Sequence, residues 1–84
     1  MTLRQMVDRI QSKQDLIGFV EALVDDLRSR PADWENHTLD AFLSALASWL
    51  TDSDGYYRNH GIDVPATLSW KNIAEMLIAA KMYE

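Results

Sequence analysis

An 84-residue chain with 48% apolar residues and a formal charge of −5 reads as one small domain, too small to enclose a deep substrate cavity at a radius of gyration of about 12 Å. The acidic balance argues against a nucleic-acid surface, which needs clustered Lys and Arg, and permits an acidic face aimed at a basic partner. No apolar run approaches the roughly 20 residues that cross a bilayer, Met1-Thr2-Leu3-Arg4-Gln5-Met6 lacks a signal-peptide core, and the absence of cysteine fits a reducing cytoplasm.

Helical periodicity then runs almost throughout. Leu3, Met6, Val7 and Ile10 form the stripe of a short first helix. Ser12 follows as an N-cap, with Asp15 at the capping-box position in place of the longer Glu. A second helix places Leu16, Ile17, Val20, Leu23, Val24 and Leu27 on its inner face. Arg28 and Arg30 complement its C-terminal dipole, and Pro31 stops it. Opposite that stripe, Gly18 and Ala22 leave a notch bordered by Phe19, either a tolerated surface glycine or an approach for another helix.

A third helix starts at Asn36 or Thr38 and carries Leu39, Phe42, Leu43, Leu46, Trp49 and Leu50, with Ala45 and Ala47 widening its apolar arc. A helix apolar over so much of its circumference is expected at the centre. Gly55 follows shortly after its end, and the chain is irregular to Leu68, with Gly61 and Pro65 as breakers. Ser69 then caps a last helix bearing Trp70, Ile73, Ala74, Leu77 and Ile78. No segment alternates with period two for long enough to be a strand. Residues 1–84 therefore read as one all-α, compact four-helix domain, with a central third helix and an irregular loop before the last.

Two segments concentrate aromatic and polar side chains. Trp34-Glu35-Asn36 reads as a helix start, with Trp34 packed and Asn36 capping, or as a ring beside a carboxylate and an amide suited to gripping a partner. Asp52-Ser53-Asp54-Gly55 is not a calcium loop. Aligning Gly55 with that loop's glycine puts Leu50 at the first ligand position and Gly61 where the bidentate Glu belongs. At the end of a helix, Asp52 and Asp54 oppose the dipole at roughly 0.3–1 kcal/mol each. Compensation by Arg58, Lys81 or a Tyr hydroxyl is expected, and Lys81, on the apolar face of the last helix, is the candidate to pair with Asp52 or Asp54. In Tyr56-Tyr57-Arg58-Asn59-His60, one Tyr is expected inward and the other toward solvent. His37 and His60 lack metal-ligand spacing, and no nucleophile elbow or phosphate loop is present, so no catalytic residue, metal or cofactor is assigned.

Ser12-Lys13-Gln14-Asp15, Trp34-Glu35-Asn36 with Leu39, Phe42, Leu43 and Trp49, Asp54-Gly55-Tyr56-Tyr57, and Trp70 with Ala79-Ala80-Lys81 and Tyr83-Glu84 together resemble a family of small bacterial proteins of unknown function. The resemblance runs from Ser12 to Glu84 and implies a bacterial, cytoplasmic, free-standing domain, with no activity to carry over. The residues themselves point to a protein-binding or regulatory module, such as an acidic inhibitor of a basic partner. Its expected contact residues are Trp34, Glu35, Asp52, Asp54, Tyr56, Tyr57 and Arg58, the first two in a patch separated from the rest by about 20 Å of helix. Rival readings are a small metal-dependent enzyme built on Asp52, Asp54 and His60, and a structural homo-oligomer joined through Gly18, Phe19 and Ala22.

Overall fold

Each helix begins on a hydroxyl side chain. In the computed structural model, which describes residues 1–63 and 67–83, α1 spans Leu3–Asp8, α2 Lys13–Ser29, α3 Leu39–Asn59 and α4 Trp70–Met82. A 3-10 turn over Pro31–Asp33 follows α2. Pro65, the second expected breaker, and Glu84 lie outside the described residues. Thr2, Ser12, Thr38 and Ser69 accept from the backbone N–H groups of Gln5, Asp15, Ala41 and Asn72. Each bond satisfies one orphan amide and is worth about 1 kcal/mol. Asp15 departs from the standard box: its carboxylate accepts from the N–H of Gln11, at 3.0 Å, one residue before the cap.

The end of α3 corrects the expected boundary. The helix continues through Gly55 to Asn59 and stops at Gly61, whose φ of +66° is the left-handed conformation that glycine adopts without strain. There Gly61 N–H donates to Arg58 O at 3.1 Å and Ile62 N–H to Tyr57 O at 2.9 Å, a paired closure of the last carbonyls. A glycine inside a helix costs about 1 kcal/mol. Here packing outweighs it, because Tyr56 meets Trp49 two turns back at 6.1 Å between centroids and Tyr57 at 5.3 Å. Asp52 and Asp54 consequently sit inside the helix, before its last turn, where the dipole cost does not reach them.

The core joins Val7 and Ile10 of the first segment to Phe19, Leu23, Trp34 and Ala74. Its hub is α4, which packs against α1, α2 and α3, whereas α3 packs among the helices against α4. The centre is therefore the last helix and not the third. Small residues explain this: Ala74 and Ala80 are fully buried, so neighbouring helices approach α4 closely from different sides.

The packed face of α2 is also turned from the expected one. Phe19, placed by sequence beside a surface notch, is completely buried, while Ile17, Val20 and Val24 are 39%, 40% and 41% exposed. Burying a phenylalanine yields about 1.5–3 kcal/mol, and the apolar arc of this helix runs from Phe19 and Leu23 through Leu16 and Leu27 to Val24 and Ile17, so the core takes the Phe19 edge of it. Gly18 stays at the surface with nothing near the position of a Cβ. The patch expected at Gly18, Phe19 and Ala22 therefore does not form, because its aromatic member is in the core.

Candidate functional site

Trp34 is built into the core by three contacts. Its indole N–H donates to Asp26 Oδ2 at 2.8 Å, and Lys81 Nζ donates to the same oxygen at 3.0 Å. Lys81 also lies over the Trp34 ring, 5.4 Å from its centroid, and Phe42 packs against the ring at 6.1 Å. The indole N–H and the Lys81 ammonium hold the Asp26 carboxyl below the usual aspartate range. Lys81 thus has an internal carboxylate partner, as its place on the apolar face required, but the partner is Asp26 of α2 and not Asp52 or Asp54.

Asn36 does not cap α3, a role taken by Thr38. It closes the other end of α4 instead. Its backbone N–H donates to Lys81 O at 3.1 Å, and its side-chain amide donates to Ala80 O at 2.9 Å and Tyr83 O at 2.7 Å. Carbonyls that a helix C-terminus leaves without partners are thereby satisfied. Glu35, between these two anchors, points into solvent. The Trp-Glu-Asn segment is chiefly a clamp.

Along α3, Asp52 accepts from the Tyr83 hydroxyl, and that carboxylate pushes the Tyr83 phenol up from its ordinary value. Tyr83 therefore ties the Asn36 clamp to the middle of α3. Tyr57 is buried, and its phenol is raised chiefly by that burial. Tyr56 is half-buried between Trp49 and His60, the latter 4.4 Å away between ring centroids. Tyr57 packs inward as expected of one of the pair, whereas Tyr56 is half-buried and does not stand free in solvent, and both lie on a helix and not on irregular chain. Asp54, Arg58 and both histidines are exposed. Asp54 follows Asp52 by two helical positions and so points about 200° away from it. The convergence of Asp52, Asp54 and His60 required by the metal-dependent reading is thus absent, and no group of three potential ligands is placed to hold a metal ion among the described residues. Of the seven expected contact residues, Trp34 and Tyr57 are core, and Glu35, Asp52, Asp54, Tyr56 and Arg58 reach the surface.

The most distinctive surface feature lies elsewhere. Both α2 and α3 flank α4 without packing on each other, which leaves a groove of about 310 Å³ between them. Val20 and Val24 form one wall, Leu39 and Phe42 the other, with Leu77 and Trp34 beneath. Leu39 is 73% exposed, and Leu43 and Leu50 continue its line along α3. The signal was present in the sequence. Leu39, Leu43, Leu46 and Leu50 repeat at helical spacing, a second stripe beside the one that carries Ala45 and Trp49, so one neighbouring helix cannot cover both. A wider cleft of about 720 Å³ lies between α1 and α2, but its charges balance, with Arg4, Arg30 and Lys81 against Asp25, Asp26 and Asp33. The candidate site is the apolar groove.

No helix among the described residues is long and apolar enough to cross a membrane. No curated protein and no solved structure matches the chain. Residues 12–84 match the model of DUF7660, a family of unknown function, and the chain belongs to that family.

Proposed function

We propose that the domain works by binding protein, and that the partner seats on the apolar face between α2 and α3. The observation that carries this reading is the contiguity of Val20, Val24 and Leu39 along one groove, flanked by exposed Leu43. Single aliphatic side chains at a surface are ordinary, whereas a contiguous group marks a docking surface. Each such side chain stands to gain about 1.5–3 kcal/mol on full burial.

Glu21, Asp25, Asp40 and Asp54 are exposed on the two helices that wall the groove, and the chain carries a net charge of −5. That charge favours encounter with a basic partner, the behaviour of an inhibitor or regulator. Glu35, Asp52, Tyr56 and Arg58 are peripheral contacts in this reading. The absence of cysteine suits the bacterial cytoplasm in which we place it. The test is affinity capture from the source cells with wild type, Val24→Asp and the remote control Arg9→Ala. A protein held by wild type and Arg9→Ala but lost by Val24→Asp is the expected result. Retention by a Val24→Asp variant that keeps its helical circular dichroism refutes the groove as the docking face.

A further inference from the structure

We infer that a cleft between α1 and α3, floored by α4, binds a guanidinium group, with the Glu75 carboxylate and the rings of Trp49 and Tyr56 as its receptors. The cleft has a volume of about 270 Å³ and is lined by Arg4, Trp49, Tyr56, Glu75, Ile78 and Ala79. Glu75 and Leu77 stand two positions apart on α4, about 200° around its axis. This cleft and the groove floored by Leu77 therefore open on different sides of the helix, and the inference goes beyond the docking reading without resting on it.

Three observations select a cation. The first is the state of Glu75. Its side chain is only 16% exposed, yet among the described residues its one ion-pair contact is Arg4 Nη2, 3.8 Å from Oε1 and too far for a hydrogen bond. A carboxylate held largely out of water without a donor is unfavourable, and a bound cation carrying N–H groups supplies both charge and donors. Burial, and then the charge of Glu75, raise the Tyr57 phenol, so the field of this carboxylate reaches the neighbouring aromatic cluster.

The second is the aromatic wall. Trp49 and Tyr56 line the same cleft, with ring centroids 6.1 Å apart and planes tilted by 50°. Ring faces are electron-rich and attract a cation, so rings and carboxylate act in the same direction and an anion would meet both unfavourably. The third is Arg4. It is more than half exposed and donates to Asp8 at 3.3 Å, its nearer partner, so a guanidinium already stands at the edge of the cleft without filling it. A planar guanidinium can lie on a ring face while its edge donates to a carboxylate, which a compact ammonium cannot do. Ile78 and Ala79 flank the aliphatic stem that carries it. When such a group enters, Arg4 yields Glu75 and keeps Asp8.

NMR titration of the full chain with N-acetyl-arginine methylamide tests this at the indole N–H of Trp49. The expected result is a shift of the Trp49 signal, but not of the Trp34 signal, with a Kd of about 1 mM. Glu75→Gln should weaken binding at least about tenfold, and Tyr56→Leu about two- to fivefold, in variants that keep their helical circular dichroism. Arg4→Ala should act in the opposite sense and tighten binding about two- to fivefold, because no resident guanidinium then shares Glu75. Val24→Asp, in the other groove, should leave binding unchanged. Free L-arginine, measured beside the blocked compound, identifies the source: tighter binding of the blocked form indicates an arginine within a protein chain, and tighter binding of the free form indicates the amino acid. The absence of a Trp49 shift at about 10 mM overturns the inference. So does binding that Glu75→Gln leaves intact, or that the neutral citrulline analogue or the lysine analogue of the same compound matches.

Discussion

Replacing Asp26 with leucine deprives two donors of their shared acceptor oxygen. The Trp34 indole N–H and the Lys81 ammonium both use Asp26 Oδ2, at 2.8 and 3.0 Å, and the Lys81 and Asp26 side chains are only 15% and 18% exposed. A hydrogen bond to a charged group is worth about 1.5–3 kcal/mol, and leaving one partner of a buried ion pair unmatched costs about 3–5 kcal/mol. Partial exposure of this pair lowers the second figure, so the expected loss is about 2–4 kcal/mol. A chain of this length has only about 4–12 kcal/mol in total, and each kcal/mol moves its Tm by about 4–8 °C. Asp26→Leu should therefore melt at least about 10 °C below wild type at pH 7.

The pH dependence has a definite sign. The folded carboxyl titrates below the ordinary value of 3.8, so its stabilisation is fully present above that value and fades as pH falls through the folded pKa. The gap between wild type and Asp26→Leu should close as the solution is acidified below pH 3.8. Adding Lys81→Met to Asp26→Leu should recover part of the loss, because no cation then remains without its partner. Thermal melts followed by circular dichroism measure all three quantities. A drop under about 3 °C at pH 7, where about 10 °C is expected, would refute the account, as would a gap that does not change with pH.

Two glycines should respond in opposite directions. Gly61→Ala forces a side chain into the left-handed region at φ +66° and should cost about 1–2 kcal/mol, whereas Gly18→Ala, with open space at the Cβ position, should add about 0.5–1 kcal/mol. Urea unfolding midpoints compare them directly. Tyr83→Phe removes the hydroxyl that donates to Asp52. The Tyr83 phenol is raised above its ordinary value of 10.0, so its contribution is present below that pH and lost as pH climbs through the folded value. Melting curves of wild type and Tyr83→Phe should therefore converge in alkali. Curves that stay equally separated would contradict the assignment.

What the sequence revealed was mainly local. Ser12, Thr38 and Ser69 announce helix starts because capping depends on a few adjacent residues. Gly55 and Gly61 are both plausible stops, and only the packing of Trp49 against Tyr56 decides between them. The inner face of α2 was illegible for a related reason: Ile17 and Val24 suit one side, Phe19 the other, and the position of α4 chooses. Lys81 clearly needed a carboxylate, but its partner stands 55 residues away, at a separation where side-chain type says nothing about proximity. The groove beside α3 is written in the sequence as a leucine stripe at Leu39, Leu43 and Leu50, but periodicity alone does not separate it from the stripe that enters the core.

The hub position of α4 also has a consequence for the order in which the domain forms. While α1 and α2 can touch early, α3 has no helix to lie against, and only the Phe42–Trp34 contact, until the segment from Trp70 onward is in place. Structure therefore cannot accumulate from the N-terminus helix by helix. The domain should assemble in one concerted step when its last helix docks, and amide exchange in α3 should then be no slower than exchange in α4.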